Sequence, residues 1–386
     1  MELNENNLFR NRFLLLLICV FSSSLFLQSQ TINLISFNNT ATYSSGSSVS
    51  VVMNPTGIFE MTNQFVLELS AEGGSWATPT VLNTLDEFYT PVVNGTLPAA
   101  LVSGNYKLRI RSTLPALIAE SGSFSVTATA GLPTFPTFKS NISNGSSYFN
   151  CLGECSSVNN IFGQLQAAYN ATTNFSEAQR TCTICNFNLL TSTYFARLIN
   201  VQNSFVRNLD ITADGTFVIP NDLNIGTYII EIESKNSSGV SSIYSNIFIF
   251  QGSGTSFGNA SGEAVCVGSK VDFAIDLNPS SGIGRNYSGS KYSVDFGDGT
   301  EVWLTHAQIV ANPAISHIFD AASCGSNSGS QSGYSKVKFS LYNKGVFNNV
   351  NPDYCTTYSL NGSGAIKNVN ISKAPIADLQ FQQCNV

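Results

Sequence analysis

The sequence predicts an all-β fold of tandem β-sandwiches. Apolar and polar residues alternate with a period of two in stretch after stretch, as strands with one covered face require. Turns rich in Gly, Ser and Asn separate those stretches. The 386 residues also leave room for three modules of the usual sandwich size, about 100 residues each.

Composition narrows the class. Charged residues make up 11% of the chain, against roughly a quarter in ordinary soluble domains. The polar surface is therefore built from Ser, Thr, Asn and Gly, as in exported proteins. A hydrophobic fraction of 43% supports packed cores and excludes a simply disordered chain. The net charge of −6 disfavours binding to phosphate backbones, so no nucleic-acid partner is expected.

Residues 1–30 read as a signal peptide. Arg10 and Arg12 precede the apolar run Phe13 to Leu27, which ends at Gln28-Ser29-Gln30. That run is short for a membrane span, although an uncleaved signal anchor is the competing reading. Ile18 before Cys19 does not fit a lipoprotein site. No other segment is apolar enough to cross a bilayer, so no membrane span is expected after signal removal. The expected location is extracellular or on the outer cell surface.

The first segment, 31–130, is built from alternating stretches. Val49 and Val51 alternate with serines, and Phe65, Leu67 and Leu69 with polar residues. Tyr106, Leu108 and Ile110 alternate with Lys107, Arg109 and Arg111, and Phe124 and Val126 with Ser125 and Thr127. The Pro-containing stretch Gly131 to Pro136 follows as a linker. The second segment, 137–251, ends in similar strands: Tyr228, Ile230 and Ile232 alternate with Ile229, Glu231 and Glu233, and Ile247 to Phe250 close it. Its first half carries an insert at 151–185. There Ile161, Leu165 and Ala168 or Tyr169 recur at helical spacing, predicting a short amphipathic helix bracketed by cysteines.

The two segments echo one another. Gly104-Asn105-Tyr106-Lys107-Leu108-Arg109-Ile110 matches Gly226-Thr227-Tyr228-Ile229-Ile230-Glu231-Ile232. A Tyr opening a late strand often ties the corner of an immunoglobulin-like sandwich, and such an echo indicates an array of modules. The third segment, 252–373, follows a Gly/Ser-rich junction. It carries Val271, Phe273, Ile275 and Leu277 on one face, then Val337, Phe339 and Leu341, then Val369 and Ile371. Residues 374–386 read as the start of a further, truncated repeat. The expected overall arrangement is a rod.

The most specific motif is Tyr292-Ser293-Val294-Asp295-Phe296-Gly297-Asp298-Gly299-Thr300, a strand, a tight turn and the return strand Glu301 to Leu304. It resembles the signature of the PKD (polycystic kidney disease) repeat, an immunoglobulin-like β-sandwich. Ser316-His317-Ile318-Phe319, Lys336 to Asn343 and the hinge-like Ala374-Pro375-Ile376-Ala377-Asp378 extend the resemblance over roughly a third of the chain. The context of Cys266, Cys324 and Cys355, with Asn63 to Ser70 and Tyr106 to Thr113, is similar to the N-terminal part of surface adhesins of gliding Bacteroidota exported by the type IX system. No C-terminal sorting domain of that family is found, so the chain reads as part of a longer protein. The resemblance implies adhesion or a surface filament.

Asp295 and Asp298 are calcium candidates, as paired carboxylates in a Gly loop; the competing reading is a turn that caps its own backbone. Cys151, Cys155, Cys182 and Cys185 form either a zinc site or disulfides, and an exported chain favours disulfides. Cys324 and Cys355 flank the strand around Val337 to Leu341 and are the expected pair of the third segment. Cys266 pairs with Cys384, or Cys384 with a partner elsewhere. Trp76, Phe88 and Tyr89 sit in loops, either as glycan-stacking platforms or folded back on the core.

No catalytic site emerges. His306, placed in a loop, and His317, a strand position, have no triad or metal spacing around them. No pair of carboxylates stands out as a glycosidase pair. The sequence thus points to a non-catalytic cell-surface adhesin or filament module without a cofactor, engaging surface glycans, other surface proteins or further repeats of its own chain. The alternative is a carbohydrate-binding accessory region of a secreted polysaccharide-degrading enzyme.

Overall fold

In the computed structural model the described residues are 29–373, apart from 129–130, 141–161, 167–175, 225, 252–256, 261–263, 280–281, 324–326, 329–330, 344–355 and 360–365. The expected signal peptide and the 374–386 repeat start lie outside them.

The first segment contains β1 (Thr31–Ser36), β2 (Thr42–Ser44), β3 (Ser48–Thr56), β4 (Gln64–Leu69), β5 (Thr80–Asp86), β6 (Val92–Thr96), β7 (Gly104–Tyr106), β8 (Leu108–Thr113), β9 (Ala116–Glu120) and β10 (Phe124–Thr127). A β1-β3-β6 sheet and a β5-β4-β8-β9 sheet share one apolar core. Val49, Val51 and Met53 enter it from β3, and Phe65, Leu67 and Leu69 from β4, at the period of two that the sequence shows.

The second segment contains β11 (Phe138–Ser140), β12 (Phe162–Gln166), the helical turn α1 (Glu177–Arg180), β13 (Thr181–Ile184), β14 (Ser192–Asn200), β15 (Val206–Leu209), β16 (Thr216–Val218), β17 (Gly226–Asn236) and β18 (Val240–Gln251). The β11-β13-β16 sheet and the β14–β17 strands enclose a core that includes Phe138, Phe217, Leu198, Tyr228, Ile230 and Ile232. Of the helix predicted around Ile161 to Tyr169, residues 161 and 167–169 lie outside the described residues, and the described part is not helical. Residues Phe162–Gln166 are a strand that pairs in parallel with β18 from Ile247 to Gln251. Strand pairing gives this backbone partners along its length, whereas so short a helix is marginal in water without them.

The third segment contains β19 (Phe257–Ala260), β20 (Ala264–Cys266), β21 (Lys270–Ile275), β22 (Lys291–Asp295), β23 (Glu301–Thr305), the helix α2 (His306–Ala311), β24 (Ala314–Ile318), β25 (Asn327–Ser328), β26 (Gln331–Ser332), β27 (Ser335–Asn343), β28 (Thr356–Ser359) and β29 (Ile366–Ser372). The β19-β21-β24 and β20-β29-β27-β22-β23 sheets close over a core of Val271, Phe273, Tyr292, Phe296, Phe339 and Ile371. His306 does not lie in a loop: it opens α2, whose N-terminus is closed by a capping box between Thr305 and Gln308.

The chain is thus an all-β tandem of sandwiches, but the first two are not separate beads of a rod. One eight-stranded sheet runs β15-β14-β17-β18-β2-β10-β7, with β12 paired to β18 as its eighth strand, and crosses from the second segment into the first where Val240 and Ser241 pair with Thr42 and Tyr43. Buried serines stitch the seam: Ser48 Oγ lies 2.7 Å from Ser242 Oγ, and Ser50 Oγ donates to Ser245 Oγ at 2.7 Å. The Asn94 side chain exchanges two hydrogen bonds with the Ser245 backbone. Beside them, Val52 and Val92 of the first segment pack with Ile199, Val201, Ile229 and Ile247 of the second. Tyr287 of the third segment joins this same cluster, 2% exposed and edge-on to Tyr89 at 5.4 Å. All three segments therefore meet at one apolar point.

Candidate functional site: a cleft between the second and third segments

Next to Tyr287 lies a cleft of about 540 Å³. Its wall on the second segment is the β14–β15 hairpin turn together with the stretch that leads into β17. The turn is shaped by its own asparagines. Asn200 Oδ1 accepts from the backbone N–H groups of Gln202 (2.9 Å) and Asn203 (3.2 Å), and Asn203 Oδ1 from that of Phe205 (3.0 Å). This leaves the Phe205 ring 48% exposed at the rim.

The stretch before β17 is placed by the tyrosine that the sequence echo singles out. Tyr228 Oη donates to the Asn224 carbonyl at 2.9 Å, and its counterpart Tyr106 donates to the Val102 carbonyl at 3.0 Å. Both bonds reach four residues upstream, so the echo corresponds to one corner geometry used twice. That corner sets Asp222 opposite Arg207, which donates from both terminal nitrogens to the two carboxylate oxygens, at 2.6 and 3.0 Å. The hydrogen bonds from Arg207 hold the Asp222 carboxyl below the usual carboxylate range. The guanidinium also sits 5.7 Å from the centre of the Phe205 ring.

The third segment supplies the opposite wall through Gly284, Asn286, Ser288 and His306. Asn286 Nδ2 donates to Tyr292 Oη at 3.1 Å, and that oxygen lies 3.0 Å from His306 Nδ1. Burial pushes the His306 pKa down to about 4, so the ring is neutral at physiological pH. Behind this wall, His306 also borders a second cavity of about 270 Å³ that reaches Phe59, Phe88 and Tyr89 of the first segment.

Among the described lining residues Asp222 is the one carboxylate, and it is paired. Glycosidase chemistry needs two carboxyl groups across the scissile bond. The cleft has hydrogen-bonding groups and an aromatic face for holding a ligand.

The residues singled out from sequence lie elsewhere. Phe88 is 6% exposed in the first core, and Tyr89 packs against Tyr287. Trp76 is covered by the Arg109 guanidinium, 4.4 Å from its ring and itself held by Glu68 at 2.6 Å. Phe88 is therefore buried, while Tyr89 and Trp76 are half-buried, each with a neighbour against its ring. Asp295 Oδ1 accepts from Gly297 N–H and Asp298 Oδ1 from Thr300 N–H, each at 2.9 Å. The second Asp298 oxygen lies 2.6 Å from His317 Nε2. Burial opposes ionisation of Asp298, but the bonds from His317 and Thr300 outweigh it and hold the carboxyl low. Both carboxylates are thus engaged in their own turn, and no group of three His, Cys, Asp or Glu able to hold a metal ion occurs among the described residues. Gly297 needs its φ of +75°, and a Cβ there would come within 2.7 Å of the Lys336 carbonyl. The buried Phe296 ring stacks on His317 at 3.9 Å.

Cys185 is disulfide-bonded, whereas Cys182 and Cys266 are free thiols, so neither belongs to the expected set of bridges in this structure. Cys182 is part of the second core, and burial pushes its thiol pKa up to about 12. Cys151, Cys155, Cys324, Cys355 and Cys384 lie outside the described residues. Phe205, Arg207 and Asp222, by contrast, drew no attention in the sequence. The signal that marks them is local: an Asn-rich turn with an aromatic residue at its end.

No family model matches this chain, and no curated protein matches it. Among solved structures it is similar to the FN1–FN3 domains of chicken CNTN1, at 9% identity over 81% of this chain and 91% of that one, with a TM-score of 0.20. It is also similar to the N-terminal four Ig domains of Dscam1 isoform 1.9 (9% identity, 86% and 71% covered, TM-score 0.23). A third likeness is to the tetra-tandem repeat in the extending region of a large adhesion protein (13% identity, 88% and 74% covered, TM-score 0.21). At such TM-scores the β-sandwich assignment rests on the strands and cores described above, not on these likenesses. Among the described residues no helix is long and apolar enough to cross a membrane.

Proposed function

We propose that this chain is a non-catalytic adhesion module of the outer cell surface, exported through its N-terminal signal peptide. On this reading its sandwiches span 31–130, 137–251 and 252–373, and it forms part of a surface protein resembling the type IX-secreted adhesins of gliding bacteria. One observation carries the proposal. The cleft is equipped to hold a ligand, yet the one carboxylate among its described lining residues is neutralised by Arg207 and its histidine is buried. The stitched seam between the first two sandwiches suits a protein that bears load. Repetition of such modules would let weak contacts add by avidity.

The test is retention under flow of beads coated with the full chain, on surfaces coated with bacterial or algal polysaccharide, with reducing ends measured in the effluent. Retention without release of reducing ends is the expected result. Release of reducing ends by the chain alone would overturn the reading. Sequencing past the Val386 codon separates the adhesin from the enzyme-accessory alternative: further repeats and a sorting domain support the former, a catalytic domain the latter.

A further inference from the structure

We propose that the cleft between the second and third segments is a binding site for an uncharged saccharide, with Phe205 as the stacking face and the Arg207–Asp222 pair as the clamp on adjacent hydroxyls. This deepens the adhesion reading, on which it rests, by naming the ligand class. The cleft volume of about 540 Å³ falls within the range of roughly 300–1,000 Å³ usual for small-ligand sites.

Charge selects against ionic ligands. The lining carries one cation and one anion, bound to each other through two hydrogen bonds. A carboxylated or phosphorylated ligand would have to displace Asp222 from Arg207 and then face its charge. An ammonium ligand would meet the reverse difficulty. A hydroxyl group meets neither, because it both donates and accepts. It can donate to a further lone pair of Asp222 and accept from a further N–H of Arg207 while the pair stays intact. Two adjacent hydroxyls on one ring fit such a side-by-side donor and acceptor.

The aromatic face completes the match. A pyranose ring presents C–H groups on its faces and hydroxyls at its rim. Phe205 offers an apolar ring that is 48% exposed although the guanidinium lies over it at 5.7 Å, more loosely than the 4.4 Å of Arg109 over Trp76, so both halves of such a ligand meet their counterpart side by side. The exposed amides of Asn203 and Asn224 lie on the same wall and supply further donors and acceptors. The opposite wall belongs to the third segment, so the site is complete only when that segment is docked.

The experiment is titration calorimetry of the full chain with cellohexaose, xylohexaose, mannohexaose and chitohexaose, and with hexagalacturonate as the charged counterpart. Saturable binding of at least one neutral oligosaccharide and none of hexagalacturonate is expected. Phe205→Ala and Asp222→Asn, both at exposed positions, should each weaken it at least about tenfold, equivalent to about 1.4 kcal/mol. No binding of any neutral probe at millimolar concentration, binding of hexagalacturonate alone, or equal binding by Phe205→Ala overturns the proposal. The flow assay separates the two readings. If beads are retained but sugars do not bind, the saccharide site fails and adhesion stands; if sugars bind but beads are not retained, the site stands and adhesion fails.

Discussion

The junction of the first and second segments and the junction of the second and third are built on different physics. The first is continuous: a shared sheet, buried serine pairs and a stripe of Val and Ile exclude water along it. It also buries charge. Glu231, 3% exposed, accepts from Arg197 Nε at 2.6 Å, and neighbouring Glu233 accepts from Ser241 and from Asn38 across the seam. The second junction brings one large side chain, Tyr287, into the apolar cluster and leaves a polar cleft beside it. A seam closed by backbone pairing has little room for a ligand. A joint anchored by one wedge leaves space around the anchor, and that is where the candidate site lies.

The largest expected effect comes from removing the wedge. Tyr287→Ala should cost about 3–5 kcal/mol, the range for truncating a buried aromatic. In calorimetry the third segment should then melt apart from a jointly melting first and second. An unchanged, single transition would show that the junction is held by something other than this side chain.

Acid should act oppositely on the two junctions. The folded-state pKa of His306, about 4, lies below the ordinary 6.5, so between these values the unfolded chain binds more protons. Stability is therefore lost as pH falls through this window, by about 3 kcal/mol in total. Urea denaturation of the wild type and His306→Gln across pH 7 to 4 (about neutral to acid) should show this slope only in the wild type. Burial raises the Glu231 carboxyl above its ordinary value despite the nearby Arg197 charge. The folded state thus holds that proton more tightly, and stability falls as pH rises from the ordinary value through the raised one. Glu231→Gln should flatten this opposite slope. A seam that weakens on mild acidification in both proteins would contradict the assignment.

Smaller effects sharpen the contrast. Ser242→Ala removes the oxygen that accepts from Ser48 N–H and leaves buried groups of the first segment short of a partner, a cost of about 1–3 kcal/mol. It should lower the joint transition of the first two segments and leave the third unmoved. Smallest of all, Asp222→Asn should change stability by less than about 1 kcal/mol, because exposed ion pairs contribute little. Its effect belongs to ligand binding, and a large drop in melting temperature would mean that the pair props the joint.

How much of this was readable from residues follows from range. The turn of Asp295 to Thr300 and the corners at Tyr106 and Tyr228 are made within a few residues, so their geometry is encoded where the motif is. Residues Phe162–Gln166, within the predicted helix, form a strand because a distant strand, β18, supplies partners that a window of ten residues does not contain. The two readings of the loop aromatics stay open in the sequence for the same reason: whether a ring such as Phe88 is covered depends on neighbours distant in the chain.

The sequence by itself determined the strands that alternate, their core-facing sides and the tight turns, because alternation and turn chemistry act locally. It did not determine what lies on the polar faces. On β3, Val49 and Val51 enter the core as the alternation requires, but Ser48 and Ser50 face another sandwich rather than water. A serine satisfied by another serine and one satisfied by solvent are written alike in sequence. Only the tertiary structure, by bringing residues nearly two hundred positions apart within 2.7 Å, decided between them. The cleft belongs to the same decision, since its two walls come from different segments and meet only once Tyr287 is buried.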